Sequence, residues 1–353
     1  MRVRDARAAA VDWVMQHARQ QGGFRGAYFS GSTVGLPAEA ELPIGSDVDV
    51  MVVTATDEPP PKLGKFVHRG ALLEATYLPW RQIASAHTVL ASYHLAGSFR
   101  VDTIIADPTG ELRRLQGEVS PRFADRVWVR RRCEDARHKV ERGLGGIDPA
   151  ALWPDQVLAW LFPTGVITHI LLVAALRNPT VRLRYLAARE VLADYAHAGL
   201  YPDLLGLLGC AEWTPQRVER HLHALARTFD VAAAVATPPF FFSSDIAAAA
   251  RPIVIDGSRD LIRRGHHREA VFWIVATFAR CQKILVVDAP RDVQHALAPA
   301  FDEVLADLGI ASTDDLFARA ASVMRSLPVV WATAEAILSA NPAISEGVNN
   351  GQT

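Results

Sequence analysis

The stretch GAYFSGSTVGLPAEAELPIGSDVDVMVV, residues 26–53, decides how this chain is read. An apolar run ends at Tyr28 and Phe29, turns at Gly31-Ser32, and returns as Ser46-Asp47-Val48-Asp49-Val50. Alternate side chains of an extended strand face opposite ways, so Asp47 and Asp49 share one face while Val48 and Val50 point into a core. Two carboxylates this close raise each other's pKa and cost stability unless a cation joins them, and a divalent ion suits such oxygen donors. Taken alone, the pair also fits the solvated face of an edge strand. Gly31 permits a sharp turn and close approach of a phosphate, to which the amide and hydroxyl of Ser32 can donate, although a plain strand-to-helix turn uses the same residues.

The flanking pattern switches between helix and strand up to about residue 125. The periodicity predicts a helix over 3–20, a strand over 25–30, a loop or short helix near 33–40 and a strand over 47–54. The segment DEPPPKLG then breaks the chain, because consecutive prolines neither continue a strand ladder nor sit inside a buried helix. A strand over 70–78 follows as GALLEATYL, then the helical RQIASAHTVLAS, then SFRVDTII as a strand closed by an Asp-Pro-Thr-Gly turn and a short helix.

A third acid belongs on a neighbouring strand. In ALLEATYL the alternation sets Leu72, Glu74 and Thr76 on one face against Leu73, Ala75 and Tyr77, leaving Glu74 as an acid among apolar strand residues. Charged groups in such places are paired or metal-bound. Asp102 in FRVDTII is the rival by the same logic, with Arg100 two residues away as its local partner.

Gly-Ser, a loop, SDVDV and an acid on a following strand together resemble the DNA polymerase β-like nucleotidyltransferase superfamily. The flavour is that of the kanamycin (aminoglycoside) nucleotidyltransferase group, and the match covers about residues 26–110. The resemblance implies that Gly31, Ser32 and Ser46 hold nucleotide phosphates, that Asp47 and Asp49 bind metal, and that Glu74 completes the triad. It implies two Mg²⁺ ions, with Mn²⁺ as a substitute, and a nucleoside triphosphate such as ATP as co-substrate. Asp49 would bridge toward the attacking side. The gap from Ser32 to Asp47 is longer than the family shows and carries Pro37 and Pro43, which argues against a full helix there.

From about residue 126 the apolar spacing is helical almost throughout. The expected architecture is therefore α+β: a small mixed-sheet nucleotidyltransferase domain over 1–125, an all-helical domain over 126–344, and a frayed tail over 345–353. Thr214-Pro215 and Ser243-Ser244-Asp245 read as helix starts. Asp135 and Lys139 lie four apart on one helix face, where the plain reading is an exposed ion pair. In the resembling group an acid on this helix acts as general base and a lysine one turn later touches phosphate, which implies those roles for Asp135 and Lys139.

Three further clusters of polar residues stand out in the helical part of the chain. Arg177, Arg182 and Arg184 surround an Asn-Pro turn where a helix N-terminus could receive an anion or the arginines simply cap helix ends. His266, His267, Arg268 and Glu269 open a helix without HExxH spacing, so no zinc protease is indicated. Arg132 and His138 show an Arg-x5-His spacing known from some helical RNases, a match that chance supplies easily in an arginine-rich chain.

Composition bounds the rest. Across 353 residues the formal net charge is −1, so no global basic field favours duplex nucleic acid, and a small-molecule partner is expected. The three cysteines, Cys133, Cys210 and Cys281, have neither CxxC spacing nor an even count, which predicts a reducing, cytoplasmic setting. The N-terminus reads as an amphipathic helix and not as a signal peptide. No apolar run is expected to span a membrane, since AVFWIVATFARCQKILVV is interrupted by Arg280, Gln282 and Lys283. Lysine occurs only at 62, 65, 139 and 283. The expected activity is transfer of a nucleoside monophosphate from a triphosphate to a hydroxyl of a small, aminoglycoside-like acceptor, releasing pyrophosphate. The alternatives are a toxin or regulatory transferase acting on tRNA or a protein, and an inactive nucleotide-binding module.

Overall fold

The computed structural model describes residues 1–237, 240 and 242–347. It is α+β, with a five-stranded mixed sheet near the N-terminus and helices thereafter. Helix α1 (Val3–Gln16) precedes strands β1 (Phe24–Ser30), β2 (Val48–Thr54), β3 (Gly64–His68) and β4 (Ala71–Pro79). Helix α2 (Ala86–Ala91), strand β5 (Ile104–Ala106) and helix α3 (Glu111–Val119) complete this part. The strand order is β3-β4-β2-β1-β5, with β2 and β4 parallel and every other pair antiparallel.

Alternation along the strands sends the two sheet faces into separate cores. Val48, Val50, Val52, Leu73 and Ala75 pack against Ala6, Ala10, Trp13 and Val14 of α1. Tyr28, Val53 and Leu78 pack on the other side with Val89, Leu90, Leu112 and Leu115 from α2 and α3. Asp49 and Glu74, one residue out of phase with the α1-facing valines and alanines, therefore stand on the face away from α1. A one-residue slip of either strand would turn these carboxylates into the α1 core, so burial itself pins the register.

The sequence-based expectation differs from the structure in several places. Helix 3–20 ends at Gln16 and continues as a 3₁₀ turn over Ala18–Gln20; the loop after β1 forms only a short 3₁₀ turn, Ser32–Gly35, as the prolines foretold. Strand β3 is not anticipated by the sequence pattern at all. Arg69 and Gly70, with φ of 48° and 79°, make a two-residue turn of left-handed residues that folds β3 back antiparallel on β4.

The helices that follow are α4 (Arg126–Gly145), α5 (Trp153–Ala174), α6 (Arg184–Asp194), α7 (Tyr201–Leu208) and α8 (Pro215–Val235). They continue as α9 (Gly257–Arg263), α10 (His267–Asp288), α11 (Arg291–Asp307) and α12 (Thr313–Ala340). The chain divides into two compact units. One comprises Met1–Asp135, Val173–Pro179 and the described residues from Glu335 on; the other comprises Ala136–Leu172 and Thr180–Ala334.

The start of the expected frayed tail is held in the first unit: Ser345 bonds through its backbone to Ala124 and Arg126, and Glu346 pairs with Arg126. Residues 348–353 lie outside the described residues.

In the second unit Thr214 caps α8 by accepting from the Arg217 N–H, as expected. Ser243–Asp245 instead form a separate 3₁₀ turn, and Asp245 is used to pair the buried Arg280. The membrane expectation also needs correction. Helices α5 and α10, each 22 residues, are long and apolar enough to cross a bilayer, but 78% and 83% of their most apolar windows are buried within the fold. Such burial is that of helices packed into a protein core, and the polar interruptions of α10 find partners: Arg280 on Asp245 and Lys283 on Asp155.

Candidate metal centre

Adjacent strands place the site row by row. The register sets Ser30 opposite Asp49, Asp49 opposite Glu74, and Glu74 opposite Lys65, giving a line of polar residues across β1, β2, β4 and β3. Asp47 lies just ahead of β2, on the same face as Asp49. One ligand atom from each of Asp47, Asp49 and Glu74 lies within 4.8 Å of the others. Three carboxylates gathered so tightly repel one another, and an all-oxygen donor set of this kind fits a hard divalent cation such as Mg²⁺ or Mn²⁺.

Lysines meet this charge. The Lys65 ammonium, its side chain only 7% exposed, lies 2.7 Å from Asp47 Oδ2 and also pairs with Glu74 Oε2, while Lys62 pairs with Glu74 Oε1. Asp47 Oδ2 is shielded from solvent and receives no directed hydrogen bond, so its contact with Lys65 is an ion pair off the hydrogen-bonding direction. An acceptor left in that condition suits coordination by a cation.

The turn beside the acids has no slack. Gly31 adopts φ 71° and ψ −160°, a region essentially confined to glycine. A Cβ at this position would fall 2.5 Å from Asp49 Cγ and closer still to Oδ2. The requirement for glycine thus comes from Asp49 itself as well as from the backbone. Ser32 is exposed at the start of the 3₁₀ turn, and the Ser46 N–H, just ahead of Asp47 in the chain, bonds to the Pro43 carbonyl. Arg7 of α1 secures the turn from outside, donating to the carbonyls of Thr33, Val34 and Leu36 and lying over the Phe29 ring.

Asp102 is not a member of the cluster. Its side chain is 64% exposed, accepts from the Ile104 N–H and faces Arg113 at 3.7 Å, while Arg100, its expected partner, donates to the Leu176 carbonyl. Asp135 is likewise outside the three clustered acids and accepts from the Tyr93 N–H at 3.1 Å. Lys139 is exposed and belongs to the second unit. Tyr28, beneath the line of polar residues, is fully buried, and burial pushes its phenol well up, so it stays neutral.

The other clusters serve packing. Arg184 is buried with its guanidinium 4.1 Å from the centre of the Phe272 ring and donates to the Val181 carbonyl. Arg184 is therefore neither a solvated cap nor an anion ligand, because α6 begins at Arg184 and turns that side chain inward. Glu269 is buried against Arg189 and the Tyr201 hydroxyl, a stronger constraint than the helix dipole. His267 bonds to the Trp213 carbonyl and Arg268 to that of Ala211. Arg132 is buried on the carbonyls of Leu90 and Phe123, and burial lowers its pKa to about 10, so the Arg-x5-His spacing marks a structural arginine.

Sequence reasoning overlooked Lys65, Lys62 and Arg7. A signal for the lysines was present: two of the chain's four lysines sit within four residues of each other, immediately before an Arg-Gly turn. No family model matches this chain, and no curated protein matches it.

Proposed function

We propose that this protein is a divalent-metal-dependent transferase of phosphorus-containing groups. The specific reaction is nucleotidyl transfer: a nucleoside monophosphate moves from a nucleoside triphosphate to a hydroxyl of a small acceptor. The observation that carries the reading is the convergence of Asp47, Asp49 and Glu74 within 4.8 Å beside a glycine turn too tight for any Cβ. The same three acids and the same glycine are the residues on which the sequence resembles the polymerase β-like superfamily.

In this reading the three carboxylates would hold Mg²⁺, which when bound lowers the pKa of an acceptor hydroxyl and stabilises the departing pyrophosphate. Gly31 lets the backbone approach the phosphates without a side chain intervening, and Ser32 presents its amide and hydroxyl to them. Sheet register keeps Asp49 and Glu74 at fixed spacing, so the carboxylates are organised before substrate arrives. In the reaction the acceptor oxygen bonds to the α-phosphorus, the α–β anhydride bond breaks, pyrophosphate leaves and the hydroxyl proton passes to a general base and from it to solvent. Asp135 as general base and Lys139 as a phosphate ligand stay part of the proposal on resemblance alone. The three cysteines are buried thiols, which suits a reducing, cytoplasmic setting.

The test is incubation with Mg²⁺, the four nucleoside triphosphates and a panel of aminoglycosides, other hydroxylated metabolites, tRNA and proteins, read by mass spectrometry. A nucleotide-sized addition to a small acceptor supports the reading. Addition only to tRNA or protein would replace the acceptor class, and tight triphosphate binding without transfer to anything would replace the enzyme with a binding module.

A further inference from the structure

The lysines on the acid cluster are arranged in a way that the proposed reaction does not by itself require. Lys65 stands directly across from Glu74 in the β3–β4 ladder, and its ammonium bridges Glu74 and Asp47. Lys62, from the proline-rich segment ahead of β3, takes the other oxygen of Glu74. A divalent cation coordinated by the triad needs oxygens from these same two carboxylates.

Two cations cannot share those oxygens at contact distance without strong repulsion. Lys65 must then swing away, and its side chain is 93% shielded where it stands, so an ammonium displaced there without an anion would carry an uncompensated desolvation cost. The charge balance says what ligand relieves it. Three carboxylates against two ammoniums leave one uncompensated negative charge, and one divalent cation turns that surplus into one positive charge. A polyphosphate that accompanies the metal supplies the missing anion to both cations.

We infer that Lys65, supported by Lys62, is a transferable cation of this site: it rests on Asp47 and Glu74, and entry of a metal–triphosphate complex moves it onto the phosphates. This inference rests on the nucleotidyl-transfer reading for the identity of its anion. It makes metal and triphosphate binding cooperative, since free metal must strand a lysine that the complex satisfies, and such coupling is reciprocal between the two ligands.

The test compares the full chain with Lys65→Met, using the electron paramagnetic resonance signal of Mn²⁺ to measure binding of the free ion. Binding of a preformed complex of Mn²⁺ with a fluorescent, non-hydrolysable nucleoside triphosphate is measured alongside. The expected result is opposite shifts: free Mn²⁺ bound about tenfold more tightly by Lys65→Met and the complex about tenfold more weakly, within the range of ordinary coupling. Free Mn²⁺ bound no more tightly by the variant, or the complex bound equally well by both, overturns the inference.

If Lys65→Met is too unstable to titrate, Lys65→Gln is used, and the rise in thermal midpoint on adding Mn²⁺ replaces the titration. A rise larger than that of the unaltered protein supports the inference, and an equal or smaller one overturns it. Failure of the parent reading looks different. Both binding shifts as expected with no nucleotidyl addition to any acceptor would remove the reaction and leave the lysine exchange standing, whereas transfer with neither shift would remove the exchange alone.

Discussion

Gly31→Ala tests whether the acid cluster and the turn are one construction. The backbone there, φ 71° and ψ −160°, costs a residue with a Cβ about 1–3 kcal/mol. The added methyl also lands 2.5 Å from Asp49 Cγ, so either the turn retreats or the carboxylate leaves its rotamer, a disturbance of about 1–3 kcal/mol by the usual cost of overpacking. Together these give a loss of about 2–6 kcal/mol. Gly110→Ala is the control, because Gly110 also has positive φ, 75°, yet a Cβ there meets nothing within 4 Å. Its cost is the left-handed backbone alone, about 1–2 kcal/mol. Urea unfolding read by circular dichroism measures both variants, and Mn²⁺ binding is titrated on each. Gly31→Ala should be the less stable of the two and should bind Mn²⁺ at least about tenfold more weakly, since moving Asp49 removes a ligand. Equal stability losses, with Mn²⁺ binding intact in Gly31→Ala, would refute the claim that Asp49 dictates this glycine.

Asp49→Asn should leave the circular dichroism spectrum unchanged and abolish transfer; full activity with Mg²⁺ would remove Asp49 from the site. Glu74→Gln leaves Lys62 and Lys65 without their shared carboxylate, and combining it with Lys65→Met should recover part of the stability lost. A double-mutant cycle by urea denaturation should report a coupling of at least about 1 kcal/mol, and additive losses would show the pairs to be energetically idle. Burial pushes the thiols of Cys133 and Cys210 up to about 12 and that of Cys281 higher still, so all three stay protonated in the folded chain. Their contribution is fully present below the unfolded thiol pKa of about 8.5 and is lost as pH rises from there toward the folded values. The urea midpoint should therefore fall above about pH 9, and a thiol reagent at pH 8 should label the cysteines only after unfolding.

The acids were legible in the sequence because alternation is a local property. Val48-Asp49-Val50 and Leu73-Glu74-Ala75 each state which face is apolar, and burial then forces the acids to the opposite one. Alternation does not say which strands are neighbours. That Asp49 and Glu74 lie side by side depends on the parallel pairing of β2 with β4, which skips over β3 in the chain and is decided by tertiary packing. Strand β3 was lost for a related reason: Gly-Lys-Phe-Val-His is short, its polar Lys65 and His68 fall on opposite faces so that no period-two pattern shows, and the prolines ahead of it read as irregular chain. Yet the Arg-Gly pair that follows was a usable hairpin signal, since two residues of positive φ suit the primed turns that join antiparallel strands. Reading that turn would have set Lys65 across from Glu74 and exposed the internal counter-cation. The electrostatic puzzle that draws attention to Asp47 and Asp49 is therefore met in two ways by one hairpin. Its β4 arm adds a third carboxylate and its β3 arm adds an ammonium, so the same fold element that strengthens the site for a divalent cation also supplies the cation's competitor.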